Sequence, residues 1–236
     1  IMRYGFIHQG TLTQEQKAAL AWLESTDHQV WTVELEGLKE PGRGPPDDNQ
    51  GNGRGPGHPN IRSLDALWWH RDHAINQFSP IHDDWVQEEL TAYVEDGGGL
   101  LLTQRAFRAA TILNVESLPP DTNATNVEGS TFGFSKRDLY IEHPIFEGFD
   151  ERDFTTKTVA RDHHDAPLYQ EMNTPQNGEV LAYLASDGSR TEQSKPLVSW
   201  YQGDGAVMGA ATCIRFTDAT EQAHEDNLTT LIENAL

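Results

Sequence analysis

Two hydrophobic periods alternate along this chain, one near two residues and one near 3.6, which predicts strands alternating with helices. Met2 to Ile7 is a short apolar run read as a first strand, and it stops at His8-Gln9-Gly10. Thr13-Gln-Glu-Gln16 has the form of a capping box, in which Thr13 and Gln16 satisfy each other's free amides. The helix that follows carries Ala19, Leu20, Trp22 and Leu23. From His28 to Leu35, Val30, Thr32 and Glu34 alternate with Trp31, Val33 and Leu35, as a second strand requires. Leu64 to Trp69 is a third. Ser79-Pro80 predicts a helix start, with serine as N-cap and proline in the first turn. Asp83, Asp84, Glu88 and Glu89 load its early turns, where the dipole favours acids, and Val86, Leu90, Tyr93 and Val94 make its buried stripe. Gly97 ends it. Leu100 to Leu102 is short and wholly apolar, as in a parallel strand covered on both faces. Phe107 to Leu113 is read as the next helix.

The second half is looser. Ser130–Phe134, Leu139–Ile141, Glu179–Ala185, Pro196–Tyr201 and Ala206–Ala211 read as strands, the last two joined by a Gln202-Gly-Asp-Gly205 hairpin turn. A helix from about Glu221 to Leu236 buries Ala223, Leu228, Leu231 and Ile232. Residues 37–60 are crowded with glycine and proline and form a long loop, since neither a helix nor a central strand survives that density. The alternation predicts an α/β fold with a mainly parallel sheet, and no domain boundary or internal repeat appears in the 236 residues.

In an open parallel sheet ligands bind outside the carboxyl ends of the strands. His70, Arg71 and Asp72 end the third strand, Thr103, Gln104 and Arg105 end the fourth, and His8 ends the first. These residues are expected to face one crevice. A histidine with a carboxylate beside it is the pairing acid–base chemistry needs, so His70, Asp72 and His8 are the catalytic candidates. Trp69, Arg71, Thr103, Gln104, Arg105 and His143 are candidates for holding a ligand. Trp68 and Trp69 point to opposite faces and are expected to pack in the core. His143-Pro144 reads first as a structural corner. His163-His164, flanked by Asp162 and Asp165, is the densest ligand-like cluster. Adjacent histidines on a strand face opposite ways, so no metal is assigned to them, and no cofactor is called for.

Composition narrows the partners. Acidic residues number 37 against 17 basic, for a formal net charge of -20. The acids are spread along the chain, and no basic stripe exists to displace counterions from phosphates, so nucleic acid is excluded as a partner. No apolar run approaches a membrane span, and no signal peptide is visible, which favours a cytoplasmic setting. The single cysteine, Cys213, rules out a disulfide framework within the chain. A uniform acidic coat self-repels in dilute buffer and is relieved by salt, as in halophilic proteins. The melting temperature is therefore expected to rise between dilute and molar potassium chloride. A flat or falling trend in a thermal melt series would contradict that surface reading.

"LDALWW", the helix running into "GGGLLL", "HPIFEGF", "GDGAVMGAA" and the closing "DNLTTLIENAL" stand in an order that resembles the class I glutamine amidotransferase-like superfamily, and within it the trehalose-utilisation (ThuA-like) group. The resemblance covers most of the chain outside the Gly/Pro loop and parts of 114–135. It implies a flavodoxin-like three-layer sandwich formed as one domain over residues 1–236, and a link to carbohydrate metabolism. Catalytic members carry a nucleophilic cysteine in the sharp turn after the strand matching Leu100–Leu102. Here Thr103-Gln104 stands there. No histidine neighbours Cys213 in sequence to activate it, and no G-x-S-x-G elbow appears, so glutamine hydrolysis and serine hydrolysis are not expected. Two expectations follow. The first is a non-catalytic accessory domain for a small carbohydrate, working beside a neighbouring domain of a glycoside-active protein or as a homo-oligomer. The second is a ThuA-like enzyme acting on a sugar or keto-sugar, with His70 as acid or base, Asp72 as its orienter and His8 or His143 as an auxiliary.

Overall fold

The computed structural model describes residues 1–39, 60–121, 124–165 and 168–236. In chain order the elements are β1 (Arg3–His8), α1 (Gln14–Glu24), β2 (Gln29–Glu34), β3 (Ala66–Arg71), α2 (Asp84–Glu95), β4 (Gly99–Gln104) and α3 (Ala109–Ile112). There follow β5 (Ala124–Asn126), β6 (Thr131–Lys136), β7 (Asp153–Thr158), β8 (His163–Asp165), β9 (Tyr169–Gln170) and β10 (Glu179–Ser186). The chain closes with β11 (Ser189–Thr191), β12 (Ser194–Lys195), β13 (Leu197–Gln202), β14 (Gly205–Ala210) and α4 (Gln222–Ala235).

One ten-stranded sheet runs in the order β2-β1-β3-β4-β14-β13-β10-β6-β7, with β11 paired to β10. The pairs β1–β2, β1–β3, β3–β4 and β4–β14 are parallel. From β14 outward, β13, β10, β6 and β7 continue as an antiparallel wing. Side chains alternate across the sheet and bury two separate cores. One face joins Trp69, Leu100 and Leu102 to Val86, Leu90, Tyr93 and Val94 of α2. The other joins Phe6, Trp68 and Leu101 to α1 through Ala19, Leu20 and Leu23, and to α4 through Leu228, Leu231 and Ile232. Helices thus cover both faces of the sheet, which is a flavodoxin-like α/β sandwich. Every residue of β3 is buried, as a strand in the middle of three layers must be.

The local readings fare unevenly. The capping box at Thr13 forms with both bonds in place, and the β13–β14 hairpin turns at Gly203-Asp204. The helix predicted from Ser79-Pro80 starts later. Ser79 opens only a short 3-10 turn, Pro80–His82, and Asp83 is the N-cap of α2 through its bond from the Trp85 amide. The Ser79 hydroxyl instead donates to Gln9 Oε1 at 2.9 Å. Leu139–Ile141 is no strand; Asp138–Tyr140 is a 3-10 turn. Phe107–Leu113 divides into a 3-10 turn at Arg105–Arg108 and the short α3. Ala223 is exposed on α4, whose buried residues are Leu228, Leu231 and Ile232. Most of the 37–60 loop lies outside the described residues.

Candidate functional site

The strand order reverses direction between β1 and β3, so the chain leaves the sheet on opposite sides of that pair and opens a crevice at their carboxyl ends. His8, Arg71 and Gln104 are the last residues of β1, β3 and β4. On the α1 side, a cleft of about 430 Å³ is lined by Gln14, Glu15, Asp72, Ala160, Arg161, Arg215, Thr217 and Asp218. Its lining thus combines three carboxylates with two guanidinium groups, so it offers both hydrogen-bond acceptors and donors.

Beneath the cleft runs a buried polar chain. His70 is wholly buried. Its Nδ1 lies 2.7 Å from Thr103 Oγ1 and its Nε2 2.9 Å from Glu15 Oε1. The Trp68 indole N–H also donates to Thr103 Oγ1, at 2.8 Å. Glu15 is the second residue of α1, one before Gln16, whose side chain closes the capping box on Thr13. Its two oxygens accept from the backbone amides of Phe216 and Thr217 and from the Thr217 hydroxyl. Burial alone would raise the Glu15 carboxyl, but the hydrogen bond and attraction of His70 and the Thr217 donors outweigh it and hold it at about 2. Glu15 is therefore an anion at any ordinary pH. Glu15 and Thr217 join this polar chain to the cleft, since both also line it.

Gln104 occupies the sharp turn after β4 with φ 59 and ψ -132, a conformation that costs a residue with a Cβ on the order of 1–3 kcal/mol. This is the geometry of a strand-to-helix elbow, which elsewhere lifts a nucleophile into a crevice. Here the side chain is a buried amide, and its Nε2 donates to the Ile214 carbonyl. The elbow is present and carries no nucleophile.

The other sequence candidates divide. Asp72 does not orient His70. Its Oδ1 accepts from the Thr13 hydroxyl at 2.8 Å and lies 3.2 Å from His73 Nδ1, because it follows β3 and turns toward α1. Burial acts to raise it, and the bonds from His73 and Thr13 prevail and hold it at about 2. The orienting carboxylate is Glu15, which was not among the candidates. His8 ends β1 beside the crevice, but its Nδ1 is engaged with the Gly10 carbonyl at 3.0 Å. Trp69 and Arg71 are buried on the α2 side of β3, and Thr103 belongs to the buried chain. Arg105 follows the elbow and is half-buried. The structure does not bring His143 to this set. It caps the 3-10 turn Pro144–Phe146 on the antiparallel wing, accepting from the Ile145 amide, with Tyr140 and Phe146 as ring neighbours. Burial lowers its pKa. The side chains of His163 and His164 lie outside the described residues. No cluster able to hold a metal occurs among the described residues. Cys213 is buried and donates to the Gly133 carbonyl at 3.2 Å.

A switch point in an α/β sheet, an empty elbow and a mixed-charge cleft define a flavodoxin-like α/β protein with a crevice site. No protein-family model matches the chain, and no curated protein matches it in sequence. Solved structures do resemble it. A chain in the structure of PurLQS from Thermotoga maritima aligns with a TM-score of 0.62 and 10% identity over 99% of this chain and 97% of that one. A putative thua-like protein from Bacteroides uniformis aligns at 0.57 and 9% identity over 99% of this chain and 91% of that one. A β-galactosidase from Bacillus circulans sp. alkalophilus aligns at 0.53 and 10% identity, over 98% of this chain but only 30% of that one. At such identities the likeness is one of fold. No helix among the described residues is long and apolar enough to cross a membrane.

Proposed function

We propose that this chain is a non-catalytic, amidotransferase-like domain that binds a small carbohydrate in the crevice at the carboxyl ends of β1, β3 and β4. The observation that carries the reading is Gln104. The elbow that would present a nucleophile keeps its backbone geometry, while its side chain is spent on the Ile214 carbonyl. The carbohydrate part is supported by the cleft lining and by two fold neighbours, the thua-like protein and the β-galactosidase. In the latter, a fold of this size makes up 30% of a longer chain, which supports an accessory role beside a glycoside-active domain. The reading takes the protein to be cytoplasmic and adapted to high salt.

A second reading is favoured by one observation, the Glu15–His70 pair beneath the cleft. In it the chain is a ThuA-like enzyme acting on a sugar or keto-sugar, with acid–base chemistry relayed through Glu15 rather than Asp72.

The test is calorimetric titration with galactose, lactose and trehalose in molar potassium chloride. Saturable binding of at least one is expected. Arg161→Ala, at an exposed guanidinium on the cleft wall, weakens it about tenfold while the melting temperature holds. Heat flow that never saturates would remove the binding site. Steady heat of turnover would replace the first reading with the second.

A further inference from the structure

Arg71 is 2% exposed in a chain with more than twice as many acidic as basic residues. A buried guanidinium is normally matched by a carboxylate. Arg71 makes no direct ion pair among the described residues, and Asp72, its neighbour in the chain, attracts it without a contact. Its Nη2 donates to the Ala74 carbonyl at 2.9 Å and its Nη1 to Gln9 Oε1 at 3.4 Å, and its head lies 6.0 Å from the centre of the Trp69 ring. Its Nε has no partner, and neither has Trp69 Nε1, two residues earlier on the same face of β3. Gln9 is itself fixed by the Ser79 hydroxyl. The group straddles β1 and β3, at the switch point of the sheet.

We infer that this side of the crevice is a subsite for a carboxylate group. The Nε–Nη2 edge of a guanidinium is the fork that grips a carboxylate through two parallel hydrogen bonds. On Arg71 half of that fork is unused, and the Trp69 indole adds a third donor. A dianionic phosphate suits the place less well. It needs more than one cation, and Asp72 follows immediately in a chain of net charge -20. The 72–79 turn lies against Arg71 through the Ala74 carbonyl, and its His73, Ala74, Asn76, Gln77 and Phe78 are exposed. The inference rests on the crevice being a ligand site. Joined to the carbohydrate reading, it makes the ligand a sugar acid.

The experiment is a proton–nitrogen correlation spectrum of the whole chain at constant ionic strength in potassium chloride. The Trp69 Nε1–H and Arg71 Nε–H signals are assigned by Trp69→Phe and Arg71→Gln. Acetate, glucuronate, inorganic phosphate and glucose are titrated separately. Saturable shifts of both signals with acetate and with glucuronate are expected, and Arg71→Gln weakens them by about tenfold or more. If Arg71→Gln does not fold, Trp69→Phe still removes one donor and weakens glucuronate by about threefold. No saturable shift, an equal response to exchange of chloride salts alone, phosphate binding tighter than acetate, or unchanged affinity in the variants would each overturn the inference. Glucose perturbing the cleft while acetate leaves Trp69 and Arg71 unmoved defeats the carboxylate subsite and spares the carbohydrate reading. Acetate shifts without any response to glucose do the reverse.

Discussion

Glu15→Ala is expected to cost the fold on the order of 4 kcal/mol, a fall in melting temperature of roughly 10 °C for a chain of this size. The carboxylate ties the start of α1 to the 216–217 turn and to β3 at once. Its removal leaves the Phe216 and Thr217 amides, the Thr217 hydroxyl and His70 Nε2 short of an acceptor. Unsatisfied buried donors cost about 1–3 kcal/mol each before relaxation. Glu15→Gln keeps the shape but sets its amide nitrogen against backbone donors on one side, so it is also destabilising. The pH dependence has a fixed sign. The folded-state pKa of about 2 lies below the ordinary carboxylate value of 4.5, so the stabilisation is full above about pH 4.5. It is lost as pH falls from there toward 2. Denaturant melts from pH 6 down to pH 2 should show wild type losing more stability than Glu15→Gln. Parallel curves would contradict the burial and bonding of this carboxylate.

Glu116→Ala is expected to do comparable damage at a residue that does not line the cleft, on the order of 3 kcal/mol. Glu116 is 1% exposed and lies in a loop that no periodicity marks. Its Oε1 accepts from the Ser117 and Gln176 amides at 2.9 and 3.0 Å. Its Oε2 accepts from Asn177 and Gly178 amides and from the Trp200 indole at 3.0, 3.2 and 3.0 Å. Burial would raise this carboxyl, but the Trp200 bond and the backbone amides hold it at about 2. One side chain thus closes the 114–118 loop onto the 176–178 turn and β13. Glu116→Gln is also destabilising, because its amide nitrogen would face donors on one side. Urea unfolding separates this clamp from the crevice. Glu116→Ala lowers the midpoint and leaves ligand affinity unchanged, whereas a midpoint equal to wild type would show that the clamp contributes nothing net.

The alternation of strand and helix was legible because burial on both faces of β3 and β4 demands apolar runs, and one-sided burial of α2 demands the Val86-Leu90-Tyr93-Val94 stripe. The strand ends of the parallel half were legible for the same reason, since polarity returns where cover stops. The antiparallel wing was less so. Its strands are short, and 138–140 is a turn in which Leu139 is exposed while Tyr140 is half-buried against the α4-side core, so its apolar residues do not mark a strand. His70 was found and its carboxylate was missed. Asp72 is near in sequence, but Glu15 is near in space, and a first-turn glutamate reads as a helix-dipole acid until the turn is set beside a switch point. The capping box did not signal it, because the side chain that box turns back is that of Gln16, the next residue. Thr217 and Asp218 gave no signal, because they reach the cleft through a loop.

Product analysis tests the central claim most directly. The protein in molar salt is held with L-glutamine, lactose and trehalose in turn, each at a concentration that saturates calorimetric binding where binding occurs, and the mixtures are followed by proton spectroscopy and an ammonia assay. On the proposed reading an elbow that carries Gln104 converts nothing, so every substrate is expected to be recovered intact. Turnover of any of them, abolished by His70→Ala in a variant that still folds, would show that the buried Glu15–His70 pair is catalytic and that the crevice is an active site.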